Sequence, residues 1–319
     1  MSIRKELENE PKPPPIPPII VLGLGILAAS TGSLFIRFAQ KDVPSLVIAA
    51  YRLGLATLIL SPFILTRNRM ELGRIKRRQL QLMVLSGIFL ALHFATWITS
   101  LEYTTVASSV VLVSTSPLWV ALISTFILKE HLPGITWIGI SIALIGSVVV
   151  AGGQVCQIQP VGLVCPNLPD IIKGRAFWGD FLALAGAWMA AGYLLVGRKM
   201  RLEISLGSYI FIVYGIAAIV LIAAVLATGQ KLVGYPAINY VWFLALALFP
   251  QLLGHSSFNW ALRYLSAAYV SVTLLCEPIA SALLALIFLG EKPSTLEIAG
   301  GLLILSGVYI VSKVEIVQD

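Results

Sequence analysis

Arg52 and Glu277 are the charged residues set well inside long apolar stretches of this chain. A charge held alone in hydrocarbon costs about 3 kcal/mol or more, and one that is kept there commonly serves a substrate or ion path. Arg52 lies eight residues into the stretch 44–66, about 12 Å deep at 1.5 Å per residue. Glu277 lies ten residues into the stretch 267–290, about 15 Å along. In a hydrocarbon core about 30 Å thick the two reach similar depths and can meet. The chemistry open to them is a switchable pair. A substrate carboxylate competes for Arg52, and a substrate ammonium or a proton neutralises Glu277. The alternatives are a fixed structural ion pair, or an arginine that extends its head to the membrane surface. Pro278 follows Glu277 directly. A proline frees the carbonyl of Thr273 or Leu274, which places polar backbone beside the acid.

Pro117 has the same effect in the stretch 104–128, where Thr105, Ser109, Leu112 and Ser116 fall on one helical face. Such a hydroxyl stripe lines a path or joins helices. His93 and His255 sit in the stretches 79–101 and 240–262, with Trp97 and Asn259 four residues on, each on its histidine's face. Histidine titrates near physiological pH and can relay protons, or it is simply hydrogen-bonded in a bundle. Trp97, with Trp119 and Trp260, can stack an apolar substrate or anchor a span at the interface.

These residues must be positioned by membrane helices. The chain is 58% hydrophobic and 12% charged, about half the charge of a soluble domain. Its apolar runs are near twenty residues long and lack the alternation of barrel strands, so they read as spanning helices. Ten spans are expected, at 18–37, 44–66, 79–101, 104–128, 133–152, 177–198, 205–228, 240–262, 267–290 and 294–313. Residues 1–17 read as a disordered cytoplasmic tail and 314–319 as a second one. The first span is read as uncleaved.

The net charge of +7 does not point to nucleic acid, because the cations gather in short loops. Arg67, Arg69, Arg74, Lys76, Arg77 and Arg78 share one loop, and Arg198, Lys199 and Arg201 another. Their asymmetry puts both termini in the cytoplasm. The loop 153–176 then lies outside, where Cys156 and Cys165 either form a disulfide or stay as two thiols. No metal and no cofactor are expected, and the chain has no GxxxxGK[ST], HExxH or GxSxG run. A channel or an intramembrane enzyme is the alternative to a carrier. The partners expected are a small molecule and the lipid bilayer.

A single shift relates the two halves. The 161 residues that separate Pro117 from Pro278 also separate Glu130 from Glu291, Tyr103 from Tyr264, Gly139 from Gly300 and Gly146 from Gly307. Repeats of five spans, 18–152 and 177–313, insert in opposite senses, which makes an inverted duplication. Small residues at Gly139, Ala143 and Gly146, and at Gly300, Ser306 and Gly307, read as packing faces, either within the chain or in a homodimer. Glu130 and Glu291 read as solvated end charges or partners of Lys129 and Lys292.

Ala49-Ala50-Tyr51-Arg52-Leu53, Pro117 with Lys129-Glu130, and Pro278 with Gly290-Glu291 resemble the EamA branch of the drug/metabolite transporter superfamily. Thr31-Gly32 stands where many members have Trp-Gly. The resemblance implies an all-α integral membrane protein of the cell membrane. Its ten helices would form two inverted repeats around a central cavity, with spans five and ten peripheral. It also implies movement of a small metabolite, amino-acid-like or amphiphilic, or of a drug. Alternating access, with or without proton coupling, is the mechanism expected.

Overall fold

The computed structural model describes residues 14–128, 133–159, 162–166, 168–265, 270, 273–274 and 276–318. Most of the proline-rich tail, Lys129, Glu130, His131 and Asp319 lie outside the described residues. The first half contains α1 (Pro18–Ala39), α2 (Ser45–Arg67), the short α3 (Arg69–Leu72), α4 (Arg77–Ser100), α5 (Val106–Val113), α6 (Ser116–Leu128) and α7 (Gly134–Val155). A hairpin of β1 (Gln157–Gln159) and β2 (Gly162–Val164) follows, closed by a Cys156–Cys165 disulfide. After the short α8 (Leu168–Lys173) come α9 (Arg175–Glu203), α10 (Leu206–Ala227) and α11 (Ala237–Leu246). A π-helical segment (Ala247–His255) leads into α12 (Ser256–Ala261), α13 (Cys276–Leu289) and α14 (Thr295–Gln318).

Seven of these helical runs are long and apolar enough to cross a membrane, and three shorter apolar helices cover Val106–Val120, Cys276–Leu289 and Thr295–Ile310. Helices satisfy their own backbone polar groups, as lipid requires. Prolines mark the interruptions. The stretch 104–128 was expected as one helix, but it is broken at Ser114-Thr115, just before Pro117. Pro117 has no N–H to donate, so α6 restarts with Leu118 N donating to Thr115 O at 2.9 Å. The π segment surrounds Pro250, a site the sequence reading passed over.

The two halves interleave. α9 packs along α4, α10 along α2 and α4, the π segment and α13 along α1, and α14 along α7. One large apolar core unites the first three sets, while α7 and α14 share a smaller one with parts of α5, α6 and α9. The small-residue faces meet inside the chain. A Cβ on Gly300 would sit 2.7 Å from Gly146 O, and one on Gly307 would overlap Gly139 O. Only glycine lets these two helix backbones approach so closely.

Carboxylates tie the helix ends together. At one end Glu291 pairs with Arg37 and accepts from Val106 N at 2.9 Å, while Arg37 Nη1 donates to Leu101 O at 2.7 Å. Glu291 therefore bridges α1 and the start of α5, in place of the solvated or local role expected for it. A lone Coulomb partner at i+1 gains little, whereas here the same carboxylate also satisfies an unpaired helix-start N–H.

At the opposite end Glu71 accepts from Ser205 N at 2.8 Å, from Ser208 Oγ at 2.5 Å and from Asn68 Nδ2 at 3.2 Å, and also from Ser205 Oγ. Burial pushes the Glu71 carboxyl up and is the largest single influence. The hydrogen bonds together outweigh it and hold the group below its ordinary value. A depressed folded-state value contributes stability above the ordinary glutamate range near ~4.3, and that stability is lost as pH falls through the lower folded value. Glu71→Gln is therefore expected to lower stability at neutral pH by about 1 kcal/mol, the usual worth of a helix-start cap. The deficit should vanish in acid. Thermal melts in detergent across pH check this, and a deficit that persists in acid would contradict it.

Candidate functional site

A cavity lies between the halves, enclosed by α1, α2, α4, α9, the π segment with α12, and the turn between α5 and α6. Counted as room for the centre of a water-sized sphere, it measures about 80 Å³; one water needs roughly 10–15 Å³ by that measure. Arg52, His93, Trp97, Ser116, Pro117, His255, Asn259 and Glu277 all line it. Eight residues dispersed over the sequence from 52 to 277 thus face one space.

Arg52 is 1% exposed and does not extend to the surface. Its Nε donates to Gln251 Oε1 at 2.8 Å, and its guanidinium carbon lies 4.1 Å from the centre of the Phe94 ring. Nη1 has no hydrogen-bond partner. Arg52 and Glu277 share the cavity without an ion pair between them. The fixed pair considered from their depths is thus not formed; the side-chain hydrogen bond of Arg52 runs from Nε to the Gln251 amide. Glu277 enters the cavity at the start of α13, where its N–H donates to Leu274 O at 2.9 Å. Pro278 is buried in that first turn, where a missing N–H costs nothing.

His93 Nδ1 lies 2.9 Å from Gly186 O. A carbonyl only accepts, so Nδ1 carries the hydrogen and Nε2 is left as an acceptor. The ring stacks on Trp97 at 5.9 Å and sits 6.4 Å from that of His255. Asn259 Nδ2 donates to Tyr193 OH at 2.6 Å and to His255 O at 2.7 Å, leaving Oδ1 buried and unpartnered. Trp97 Nε1 and Gln251 Nε2 are also buried without partners. Buried polar atoms are rarely left unbonded, so the unpartnered atoms of Arg52, Trp97 and Asn259, residues that line the cavity, are open to water or a ligand.

The hydroxyl stripe divides. Ser116 lines the cavity, while Ser109 is fully buried against Ser100 Oγ at 2.6 Å and joins α5 to α4. Thr105 caps α5. Ser109 is therefore corrected from a cavity residue to a helix contact, since the break before Pro117 turns the two half-helices differently. Trp119 packs on Trp188 and Trp260 on Tyr264, neither in the cavity lining. Cys156 and Cys165 lie on the hairpin outside the helices.

Gln251, Tyr193, Phe94 and Phe258 belong to the site and were not singled out from sequence. Gln251 was legible: it adjoins Pro250 in a mid-span run, the pattern of Ser116-Pro117 and Glu277-Pro278. Tyr193 and the phenylalanines carry no such mark, because their types are as common in cores as in sites.

Long apolar helices in two interleaved halves, with charged and polar side chains facing a cavity between them, mark a multi-pass membrane protein. The model of the EamA-like transporter family matches residues 16–152 and again 177–313, and the chain belongs to that family. It is 23% identical to an uncharacterized transporter of Archaeoglobus fulgidus over 91% of this chain and 96% of that one. It is 24% identical to the pseudopaline exporter CntI of Pseudomonas aeruginosa over 91% and 95%. The uncharacterized inner membrane transporter YedA of Escherichia coli is 26% identical over 86% and 84%. A solved crystal structure shares the fold with a TM-score of 0.63 at 17% identity, covering 94% of this chain and 98% of its own.

Proposed function

We propose that the protein is a secondary transporter that carries a small zwitterionic metabolite across the cell membrane by alternating access. Ten spans in two inverted sets of five, with both termini cytoplasmic, would let the interleaved halves rock about one site. The observation that carries the substrate class is the pairing of opposite charges in one cavity without contact. Arg52 Nη1 and Trp97 Nε1 offer donors to a substrate carboxylate. Glu277, in the same cavity, offers its carboxylate to an ammonium. Either charge alone would leave its counterpart unpaired in a low-dielectric pocket. At the end that carries Arg37, Glu102, Arg175 and Glu291 a wider vestibule of about 900 Å³ stands ready to admit solutes, and we assign it to the outer face.

The transporter names of the relatives support carriage over catalysis, and one is named an exporter. The test is uptake into proteoliposomes with a labelled mixture of zwitterionic amino acids. A carrier shows saturable exchange and uphill accumulation. Flux that never exceeds equilibration would favour a channel, and chemical conversion of the solute would favour an enzyme.

A further inference from the structure

Asp180 lies five residues into α9, outside the central cavity, and is 4% exposed. Its Oδ1 accepts from Thr104 Oγ1 at 2.8 Å and from Ser108 Oγ at 2.7 Å. Its Oδ2 is buried without a hydrogen-bond partner, and among the described residues no ion pair compensates the group. An ionised carboxylate in such a place is costly, and half of this one is unsatisfied.

The charged groups around it do not relieve that cost. Arg175, on α9 itself, is turned away: it donates to Glu102 O at 3.2 Å and lies over the Tyr103 ring. Arg37, from α1, is paired with Glu291. From α14, Glu297 brings a second carboxylate to the same segment, accepting from Thr105 Oγ1 at 2.6 Å. Glu291 takes Val106 N. From α4 the nearest polar contact to α9 is His93, one and a half turns further along at Gly186. Three acids thus converge on residues 104–108, the start of α5.

We infer that Asp180 is a proton-binding site that couples protons to the movement of α5, an assignment that rests on the transport reading above. The step is a protonation: a hydronium O–H bond breaks to leave water, an O–H bond forms on Oδ2, and the carboxylate charge is lost. Ionised, Asp180 holds the hydroxyls of Thr104 and Ser108 by charge-assisted bonds and favours the positive end of the α5 dipole. Protonated, it loses both advantages, and the start of α5 is released. The other end of α5 is the Ser114 turn, which lines the central cavity. One short helix of eight residues therefore joins the acid to the substrate pocket. A metal cation is a poorer occupant than a proton. The helix start repels it, and the described residues hold no cluster of three acid, histidine or cysteine side chains to ligate it.

The direct test is infrared difference spectroscopy of the whole protein in lipid, stepped from alkaline to acid pH. A buried carboxylic-acid carbonyl band should appear in wild type and in Glu277→Gln, be absent in Asp180→Asn, and return at a shifted position in Asp180→Glu. A wild-type band that survives in Asp180→Asn overturns the assignment. So does a band that responds to sodium at fixed pH.

The second arm uses proteoliposomes. Asp180→Asn keeps an oxygen for Thr104 and Ser108, and its exchange of zwitterions should no longer change with pH. A gradient of about one pH unit sustains about tenfold accumulation when one proton moves per substrate, and Asp180→Asn should lose it. Gradient-driven accumulation that persists in the variant overturns the coupling. A wild type that carries no zwitterion defeats the transport reading instead, and the infrared band still decides the proton site.

Discussion

Glu277→Gln is expected to abolish accumulation of zwitterionic substrates while leaving the protein folded. Glutamine nearly matches glutamate in shape, and the bonds that hold this turn use the backbone, with Ser30 Oγ 3.5 Å from Glu277 O and Glu277 N–H on Leu274 O. The charge alone is removed. A substrate ammonium brought into the cavity would then have lost its water and found no carboxylate. Truncating one partner of a buried charge pair costs about 2–5 kcal/mol, or roughly one and a half to three and a half orders of magnitude in binding at about 1.4 kcal/mol per decade. Initial rates in proteoliposomes, with thermal stability as the folding control, measure this. Unchanged uptake, with its pH dependence intact, would remove Glu277 from the site.

Arg52→Ala is expected to separate substrates by their carboxylate. Uptake of a zwitterionic amino acid should fall by about ten- to a hundredfold, the usual worth of a charge-assisted hydrogen bond at about 1.5–3 kcal/mol. The corresponding amine, which lacks the carboxylate, should be affected far less. The variant also leaves Gln251 Oε1 without its donor and opens space against Phe94. A loss of stability of about 1–3 kcal/mol accompanies it, so the comparison of the two substrates in one variant is the informative quantity. Equal losses on both would make Arg52 a structural residue. Arg52→Lys keeps the charge without the planar fork, and should recover carboxylate selection only in part if the Gln251 bond aims the guanidinium.

Two features bear on how such a site is built. A proline stands in the first turn of a helix in each half, Pro117 in α6 and Pro278 in α13, and the second half adds Pro250 within the π segment. Ser116 and Glu277 beside them line the cavity and Gln251 holds Arg52, and lipid tolerates irregular backbone only if protein or water covers it. The glycines between α7 and α14 serve a different end. They let two helices pack so closely that the pair forms a peripheral unit with its own small core.

Membrane insertion, the duplicated halves and half of the cavity residues could be read from the chain alone. Hydropathy acts on every residue of a span at once, and a buried charge or mid-span proline is too costly to be incidental. Arg52, Glu277, His93, His255 and Asn259 stood out for that reason, and all five face the cavity. Which of them touch was decided by the fold. Arg52 met Gln251 across 199 positions of sequence instead of the acid at matching depth. Ser109 turned into a helix contact, Glu291 reached back to Arg37, and Asp180 found two hydroxyls on another helix. Depth along a helix follows from counting residues; the direction a side chain faces depends on how each helix is rotated and where it breaks, and those are set by packing between halves distant in sequence.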